Sequence, residues 1–248
     1  MIHVGHKGAA ALEPENTLRS ISRALELGVD MVEVDVVSLA DGTLVLAHSD
    51  DLHEISHGAA IGRITGESLA QLREVAPELP TLDEALALLA GSGADVQLDV
   101  KAPGYERPVV EAVRRHALAE RTLLSSCYPE VLRLAGELEP ALRRGLTYPF
   151  DRRGISGRRF LRPAVWAALH GLRAALPRRI AGLLARADAS VAALQYSVVS
   201  AAVVRRCHEA GAQVLAWTVD DPVLYARLAA IGVDGVITND PRIFSRYL

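Results

Sequence analysis

The stretch Met31-Val32-Glu33-Val34-Asp35-Val36 places two acids two residues apart among aliphatic neighbours. Side chains alternate along an extended strand, so Glu33 and Asp35 share one face, about 6 to 7 Å apart, and the valines share the other. Val96-Gln97-Leu98-Asp99-Val100-Lys101 repeats the arrangement, with Gln97, Asp99 and Lys101 facing one way. An isolated Glu-x-Asp is ordinarily a pair of exposed acids on an edge strand. The flanking valines instead call for interior strands, where an uncompensated carboxylate costs several kcal/mol. Lys101 could pair with Asp99 and require no metal, but that would leave Glu33 and Asp35 without a cation. Glu33, Asp35 and Asp99 are therefore expected to hold one divalent cation, and an all-oxygen set suits Mg2+ or Ca2+ better than zinc.

His6 follows the run Ile2 to Gly5, and His48 closes Leu44-Val45-Leu46-Ala47. One histidine at a strand end is usually structural. Two of them beside a cation site and a lysine form a candidate proton-transfer pair, because imidazole titrates near neutral pH. His3, His53, His57, His116, His170 and His208 have no comparable surroundings. In His6-Lys7-Gly8, Lys7 is a candidate substrate contact and Gly8 lets the backbone turn closely. Pro14 shapes the following loop, and Asn16 or Thr17 can cap the next helix.

These side chains need elements to position them, and β-branched runs alternate with helical patterns along the chain. Strands are expected at Ile2 to Gly5, Met31 to Val37, Thr43 to His48 after an Asp41-Gly42 turn, Val96 to Val100, Thr122 to Ser126, Gly145 to Tyr148, Val191 to Tyr196, Gln213 to Val219 and Gly235 to Thr238. Helices are expected at Asn16 to Leu27, Thr81 to Leu89, Pro108 to Leu118, Glu130 to Leu138, Ala201 to Ala210 and Val223 to Ile231. Eight main strands in βα alternation over 248 residues predict an α/β fold closed as a (β/α)8 TIM barrel in a single domain, 1–248. An open doubly wound sheet has similar local signals. In such a barrel chemistry sits at the C-terminal strand ends. His6, Asp35, His48, Lys101 and Trp217 all fall there.

Between the fifth and sixth barrel strands, residues 151–187 hold nine arginines and one acid. Leu161, Val165, Trp166, Leu169, Leu172 and Leu176 recur at helical spacing, and Pro177 is expected to end or kink that helix before a second one carrying Ile180, Leu183 and Leu184. The segment reads as an inserted basic amphipathic unit that meets anionic membrane or gates the site, or as the fifth outer helix with arginines on its wet face. With 27 basic and 30 acidic residues the formal charge is −3, which gives no electrostatic reason to expect nucleic acid. Cys127 and Cys207 form neither a disulfide framework nor a metal spacing. No apolar run approaches the roughly 18 to 20 residues that span a bilayer, and the first residues lack a signal-peptide pattern, so a cytoplasmic protein is expected, with a peripheral place at the inner membrane face as a second reading.

Taken in order, His6-Lys7-Gly8, Pro14-Glu15-Asn16-Thr17, Glu33-Val34-Asp35, His48, Asp99 with Lys101, Trp217-Thr218-Val219 and Val233 to Pro241 resemble the signatures of the glycerophosphodiester phosphodiesterase family across nearly the whole chain. The resemblance implies a barrel that hydrolyses glycerophosphodiesters to sn-glycerol 3-phosphate and an alcohol. It also implies a divalent cation on Glu33, Asp35 and Asp99, His6 and His48 as acid and base, and substrate contacts from Lys7, Lys101 and Trp217. The substrate's own 2-hydroxyl is one candidate nucleophile. Lys7 stands where the family usually has arginine, replacing a two-bond fork with a point charge. Asp99 stands where many members have glutamate, whereas the related sphingomyelinase D-like enzymes resemble this chain in using an aspartate there. A phospholipase D-type activity on lysophospholipids is the alternative within the superfamily. An inactive phosphodiester-binding barrel is the non-enzymatic one.

Overall fold

The computed structural model describes residues 1–56, 58–150 and 162–246. Those residues form nine strands and nine α-helices. The strands are β1 (Ile2–Gly5), β2 (Met31–Ser38), β3 (Leu44–Leu46), β4 (Asp95–Val100), β5 (Thr122–Ser126), β6 (Arg143–Tyr148), β7 (Val191–Gln195), β8 (Gln213–Trp217) and β9 (Gly235–Thr238). The helices are α1 (Leu18–Glu26), α2 (Leu52–Ile55), α3 (Leu69–Val75), α4 (Leu82–Ala90), α5 (Glu106–Arg115), α6 (Pro129–Leu138), α7 (Arg162–Ala187), α8 (Ala201–Glu209) and α9 (Pro222–Ala230). Eight strands pair in parallel as a closed ring, β1-β2-β4-β5-β6-β7-β8-β9, and β9 returns to β1. This is the expected (β/α)8 barrel. β3 stands outside the ring, antiparallel to β2. The turn joining them uses Gly42 at φ +85°, a conformation that suits glycine.

The period-two pattern sorts the strand residues as the sequence suggests. Val32, Val34 and Val36 of β2, like Val96, Leu98 and Val100 of β4, pack outward beneath the helices in the main core. Met31 points inward and joins Val4, Leu123, Val191, Leu215 and Ile237 in an apolar plug within the barrel. Glu33 and Asp35 come next along the same inward face, above that plug, so their carboxylates open toward the C-terminal end of the barrel.

Residues between β3 and α4, for which the sequence suggested no elements, form α2 and α3 over a small separate core of Val37, Leu39, Val45, Ala47, Ile64, Leu72, Ala76 and Leu79. Ser68 and Gln71 close a capping box at the start of α3.

α7 differs from expectation at Pro177, which lies within one continuous helix. Leu176, Ile180, Leu184 and Ala187 are buried in the main core, so packing of that face offsets the hydrogen bond a proline cannot donate. The helix follows β6 and precedes β7, the position of the fifth outer barrel helix. The Arg173 guanidinium donates to the carbonyls of Ser197 and Val199, tying α7 to the turn after β7. Residues 151–161 of the basic stretch, with Leu161, lie outside the described residues. Among the described residues no helix is long and apolar enough to cross a membrane.

Candidate active site

Strand register builds the site. β2 and β4 pair with Glu33 opposite Gln97 and Asp35 opposite Asp99, which brings the two acidic motifs side by side at the C-terminal end of the barrel. Their carboxylates are buried. The Lys101 ammonium bridges them, 2.5 Å from Asp35 Oδ1 and 2.6 Å from Asp99 Oδ2. The other Asp99 oxygen accepts from Ser125 Oγ at 2.7 Å and Thr147 Oγ1 at 3.0 Å. Ser125 Oγ in turn accepts from Gln97 Nε2 at 3.0 Å. Gln97 Oε1 is left buried without a hydrogen-bond partner.

The loop after β1 wraps this cluster. Lys7 and Gly8 adopt left-handed backbone conformations, φ +51° and +83°, and the Lys7 N–H donates to Glu33 Oε2 at 2.8 Å. A Cβ on Gly8 would lie 2.4 Å from the Ser20 carbonyl carbon, so this glycine serves the approach of the loop to α1. The Lys7 side chain is buried, with Nζ 2.9 Å from Glu15 Oε1 and 3.8 Å from Asp35 Oδ2. Thr17 caps α1, accepting from the Ser20 N–H at 3.1 Å. Asn16, at φ +58°, does something else. Its Nδ2 donates to Asp35 Oδ2 at 2.9 Å and its Oδ1 accepts the Asp35 N–H at 3.0 Å.

The electrostatics divide the acids. Burial, with the charges of Asp35 and Asp99, pushes the Glu33 carboxyl well above the usual carboxylate range, and Lys101 only partly offsets this. Burial opposes ionisation of Asp35 as well, but the Lys101 and Lys7 ammonium groups outweigh it and hold Asp35 below its ordinary value. Lys101 is itself raised well above its ordinary value: burial disfavours its charge, and Asp35 and Asp99 overcome that penalty.

Both histidines line the cleft. His6 Nδ1 is 2.7 Å from Asn239 Oδ1, and its Nε2 is 3.9 Å from Glu33 Oε2. Burial, reinforced by the Lys7 and Lys101 charges, lowers the His6 pKa to about 4 against the pull of Asp35. His48 lies two residues beyond β3 and is half-exposed, with Nδ1 3.2 Å from Glu54 Oε1 on α2. Ser49 Oγ donates to the other Glu54 oxygen. The Trp217 indole N–H is committed to the Ala193 carbonyl at 3.0 Å, leaving its ring to form a wall. His6, Glu33, Asp35, His48, Gln97, Asp99, Lys101, Thr147 and Trp217 line a single cleft of about 260 Å3, just under the roughly 300 to 1,000 Å3 of small-molecule sites.

A match to the model of the glycerophosphoryl diester phosphodiesterase family extends from residue 6 to residue 243. The chain belongs to that family. A glycerophosphodiester phosphodiesterase of Caldanaerobacter subterraneus subsp. tengcongensis is 27% identical over 252 residues, covering 96% of this chain and 93% of the relative. The crystal structure of a glycerophosphodiester phosphodiesterase from Thermotoga maritima shares the fold, with a TM-score of 0.77 at 21% identity over 100% of this chain and 98% of that one. A phosphodiesterase from Oleispira antarctica, solved in complex with the product sn-glycerol-3-phosphate, has a TM-score of 0.76 at 25% identity, covering 100% of this chain and 96% of the other.

In this member of the phosphodiesterase family, seven of the eight residues singled out from sequence line one cleft: His6, His48, Glu33, Asp35, Asp99, Lys101 and Trp217. Lys7 lies behind it, its ammonium bonded to Glu15. Among the described residues no three acidic, imidazole or thiol groups form a ready-made chelating set, although Glu33, Asp35 and Asp99 line the same cleft. The reason is Lys101, whose ammonium stands between Asp35 and Asp99. The donor chemistry nevertheless fits a hard cation: every side-chain donor is oxygen, and Gln97 Oε1 has no partner. Asn16, Ser125, Thr147, Glu54 and Asn239 complete the constellation and were not expected from sequence as site residues. Of these, only Asn16, within Pro14-Glu15-Asn16-Thr17, and Asn239, within Val233 to Pro241, lay in stretches that the sequence had singled out.

Proposed function

We propose that this phosphodiesterase-family member hydrolyses glycerophosphodiesters to sn-glycerol 3-phosphate and an alcohol with the help of one divalent cation, Mg2+ or Ca2+. The observation that carries the reading is the single cleft in which buried Glu33, Asp35 and Asp99 face His6 and His48 across Lys101.

A phosphodiester is an anion, and its cleavage needs charge neutralised, a nucleophile deprotonated and an alkoxide protonated. Glu33, Asp35 and Asp99, with Gln97 Oε1 at hand, would hold the cation. Bound there, it supplies Lewis-acid neutralisation of phosphoryl charge. Lys101 contributes a second positive charge inside the cleft, and Asp35 and Asp99 hold its ammonium in place. Lys7 compensates Asp35 from behind, so its substrate contact requires release from Glu15. His6 and His48 exchange the two protons, and the Trp217 ring walls the organic part of the substrate. Ser125 and Thr147 fix the rotamer of Asp99.

Hydrolysis of glycerophosphocholine by the metal-loaded protein, repeated in EDTA, tests this. Product formation in metal, loss of it in EDTA, and loss in both His6→Ala and His48→Ala are expected. Undiminished turnover in chelator would remove the cation, and a fully active His6→Ala or His48→Ala would remove that histidine from the reaction.

A further inference from the structure

Gln97 occupies the register position between Glu33 of β2 and Leu123 of β5, beside the apolar plug to which Leu123 belongs. A leucine at 97 would extend that plug, whereas a buried primary amide has two polar ends that both need partners. One end has its partner. Ser125 Oγ has a single proton and gives it to Asp99 Oδ1 at 2.7 Å, since an ionised carboxylate only accepts. Toward Gln97 the hydroxyl therefore accepts, so the amide NH2 faces Ser125 at 3.0 Å and the amide oxygen is the end turned away from it. That oxygen belongs to a side chain that is 3% exposed and lines the cleft, and among the described residues nothing donates to it. An unmade bond to a buried acceptor is costly, so Oε1 is placed for a partner that is not part of the chain.

The neighbouring acids divide their oxygens in the same way. Glu33 Oε2 accepts the Lys7 N–H, Asp35 Oδ2 accepts from Asn16 Nδ2, and Asp99 Oδ1 accepts from Ser125 and Thr147. The second oxygen of each keeps capacity for another partner: Lys101 Nζ meets Asp35 Oδ1 and Asp99 Oδ2, and takes one of the two lone pairs on each. Because Glu33 pairs with Gln97 and Asp35 with Asp99 across β2 and β4, the set is four oxygens, three charged and one neutral. We propose that Gln97 Oε1 is a ligand of the cation, aimed by Ser125, and that this four-oxygen set selects Ca2+ over Mg2+. This rests on the reading of Glu33, Asp35 and Asp99 as a cation site. Ca2+ takes about six to eight oxygens in flexible arrangements and accepts amide carbonyls beside carboxylates. Mg2+ demands a near-ideal octahedron, gives up its waters reluctantly and is usually held by one or two carboxylates. A fourth protein oxygen in place of a water therefore favours the larger ion and does little for the smaller one.

The test removes the oxygen and keeps the bulk, with Gln97→Leu, which extends the plug, and Gln97→Met, which is closer in shape. Ca2+ and Mg2+ are titrated separately into the metal-free proteins by calorimetry, with no substrate present. In a second measurement the site is loaded with Tb3+, a luminescent stand-in for Ca2+ whose decay times in H2O and D2O count the waters on the ion. The wild type should bind Ca2+ more tightly than Mg2+ by about 10-fold or more. Gln97→Leu should weaken Ca2+ by at least the roughly 10-fold that losing even an outer partner of a ligand costs, and change Mg2+ binding far less. Its bound Tb3+ should carry about one water more than in the wild type, because water fills the place of the amide oxygen. A purely structural role for Gln97 would leave the water count alone. A wild type that favours Mg2+, a folded variant with unchanged Ca2+ affinity, or equal water counts in the two proteins overturns the proposal. If Gln97→Leu does not fold, Gln97→Met gives the same readings, and a wild type that favours Mg2+ overturns the proposal without either variant. Failure of the underlying reading looks different: wild-type protein that takes up none of the three ions.

Discussion

Replacing Lys101 with methionine removes the one ammonium that bridges Asp35 and Asp99 while keeping a chain of similar length. Its nitrogen lies 2.5 Å from Asp35 and 2.6 Å from Asp99, and the next cation, Lys7 Nζ, is 3.8 Å from Asp35 and shared with Glu15. Removing one member of a buried charge set costs about 3 to 5 kcal/mol, since the remaining charges stay in the interior without compensation. For a chain of this size each kcal/mol is about 2 to 4 °C in Tm, so Lys101→Met should melt roughly 6 to 20 °C below wild type in EDTA. The deficit should also depend on pH. In the wild type, Asp35 ionises below its ordinary 3.8, so its contribution is present above that pH and is lost as pH falls through the lowered folded value. Without Lys101, burial dominates and lifts the Asp35 carboxyl, so the variant is least stable at high pH and recovers as the group protonates. The gap in Tm should therefore be wider at about pH 8 than at about pH 5. Thermal unfolding in EDTA at both values checks this. A variant that melts within about 2 °C of wild type at both would refute the argument that Lys101 neutralises these carboxylates, because that is under the ~1 kcal/mol typical of a single mild substitution.

Three further outcomes follow from the same geometry. Glu33→Gln keeps an acceptor for the Lys7 N–H and removes a charge that burial disfavours, so in EDTA at neutral pH it should melt at or above wild type yet show no turnover with metal; a clear fall in Tm would contradict the raised Glu33 pKa. Asn16→Ala loses both bonds to Asp35 and places alanine at φ +58°, a combined cost of about 3 to 5 kcal/mol by denaturant unfolding, of which Asn16→Gly should recover about 1; equal stability of the two variants would remove the backbone contribution. Burial, with help from Asp234, pushes the Cys207 thiol up to about 12, so a thiol reagent in excess should leave Cys207 unmodified in folded protein and label it after denaturation, as read by mass spectrometry of its peptide.

Much of this site was legible because β-strand chemistry is periodic. The alternation in Met31 to Val36 and Val96 to Lys101 put the acids inward, and a barrel then requires neighbouring strands to present them together. Register is a separate matter: that Asp35 meets Asp99 while Glu33 meets Gln97 depends on how β2 and β4 slide, and so does the choice of Lys101 for both acids. α2 and α3 have four and seven residues, too short for a 3.6-residue period to stand out, although Ser68-x-x-Gln71 is a capping-box signal that could have located α3. Asn16 read as a helix cap because its type and place fit one, and only folding shows that its partner is Asp35. Pro177 is a strong local signal overruled by the burial of Leu176, Ile180 and Leu184 on one face. Asn239 belongs to the same class as Asn16. Its contact with His6 exists only because β9 closes on β1, so no spacing within the chain announces it.

The most direct measurement is a phosphorus NMR time course of glycerophosphoethanolamine with the purified chain. With Mg2+ or Ca2+, the diester resonance should give way to that of sn-glycerol 3-phosphate, and the conversion should stop in EDTA, resume when metal is restored, and be absent in a Glu33→Gln, Asp35→Asn and Asp99→Asn triple variant. No product with either cation, or the same rate of product formation in EDTA and in the triple variant, would contradict the assignment of this cleft as a cation-assisted glycerophosphodiesterase site.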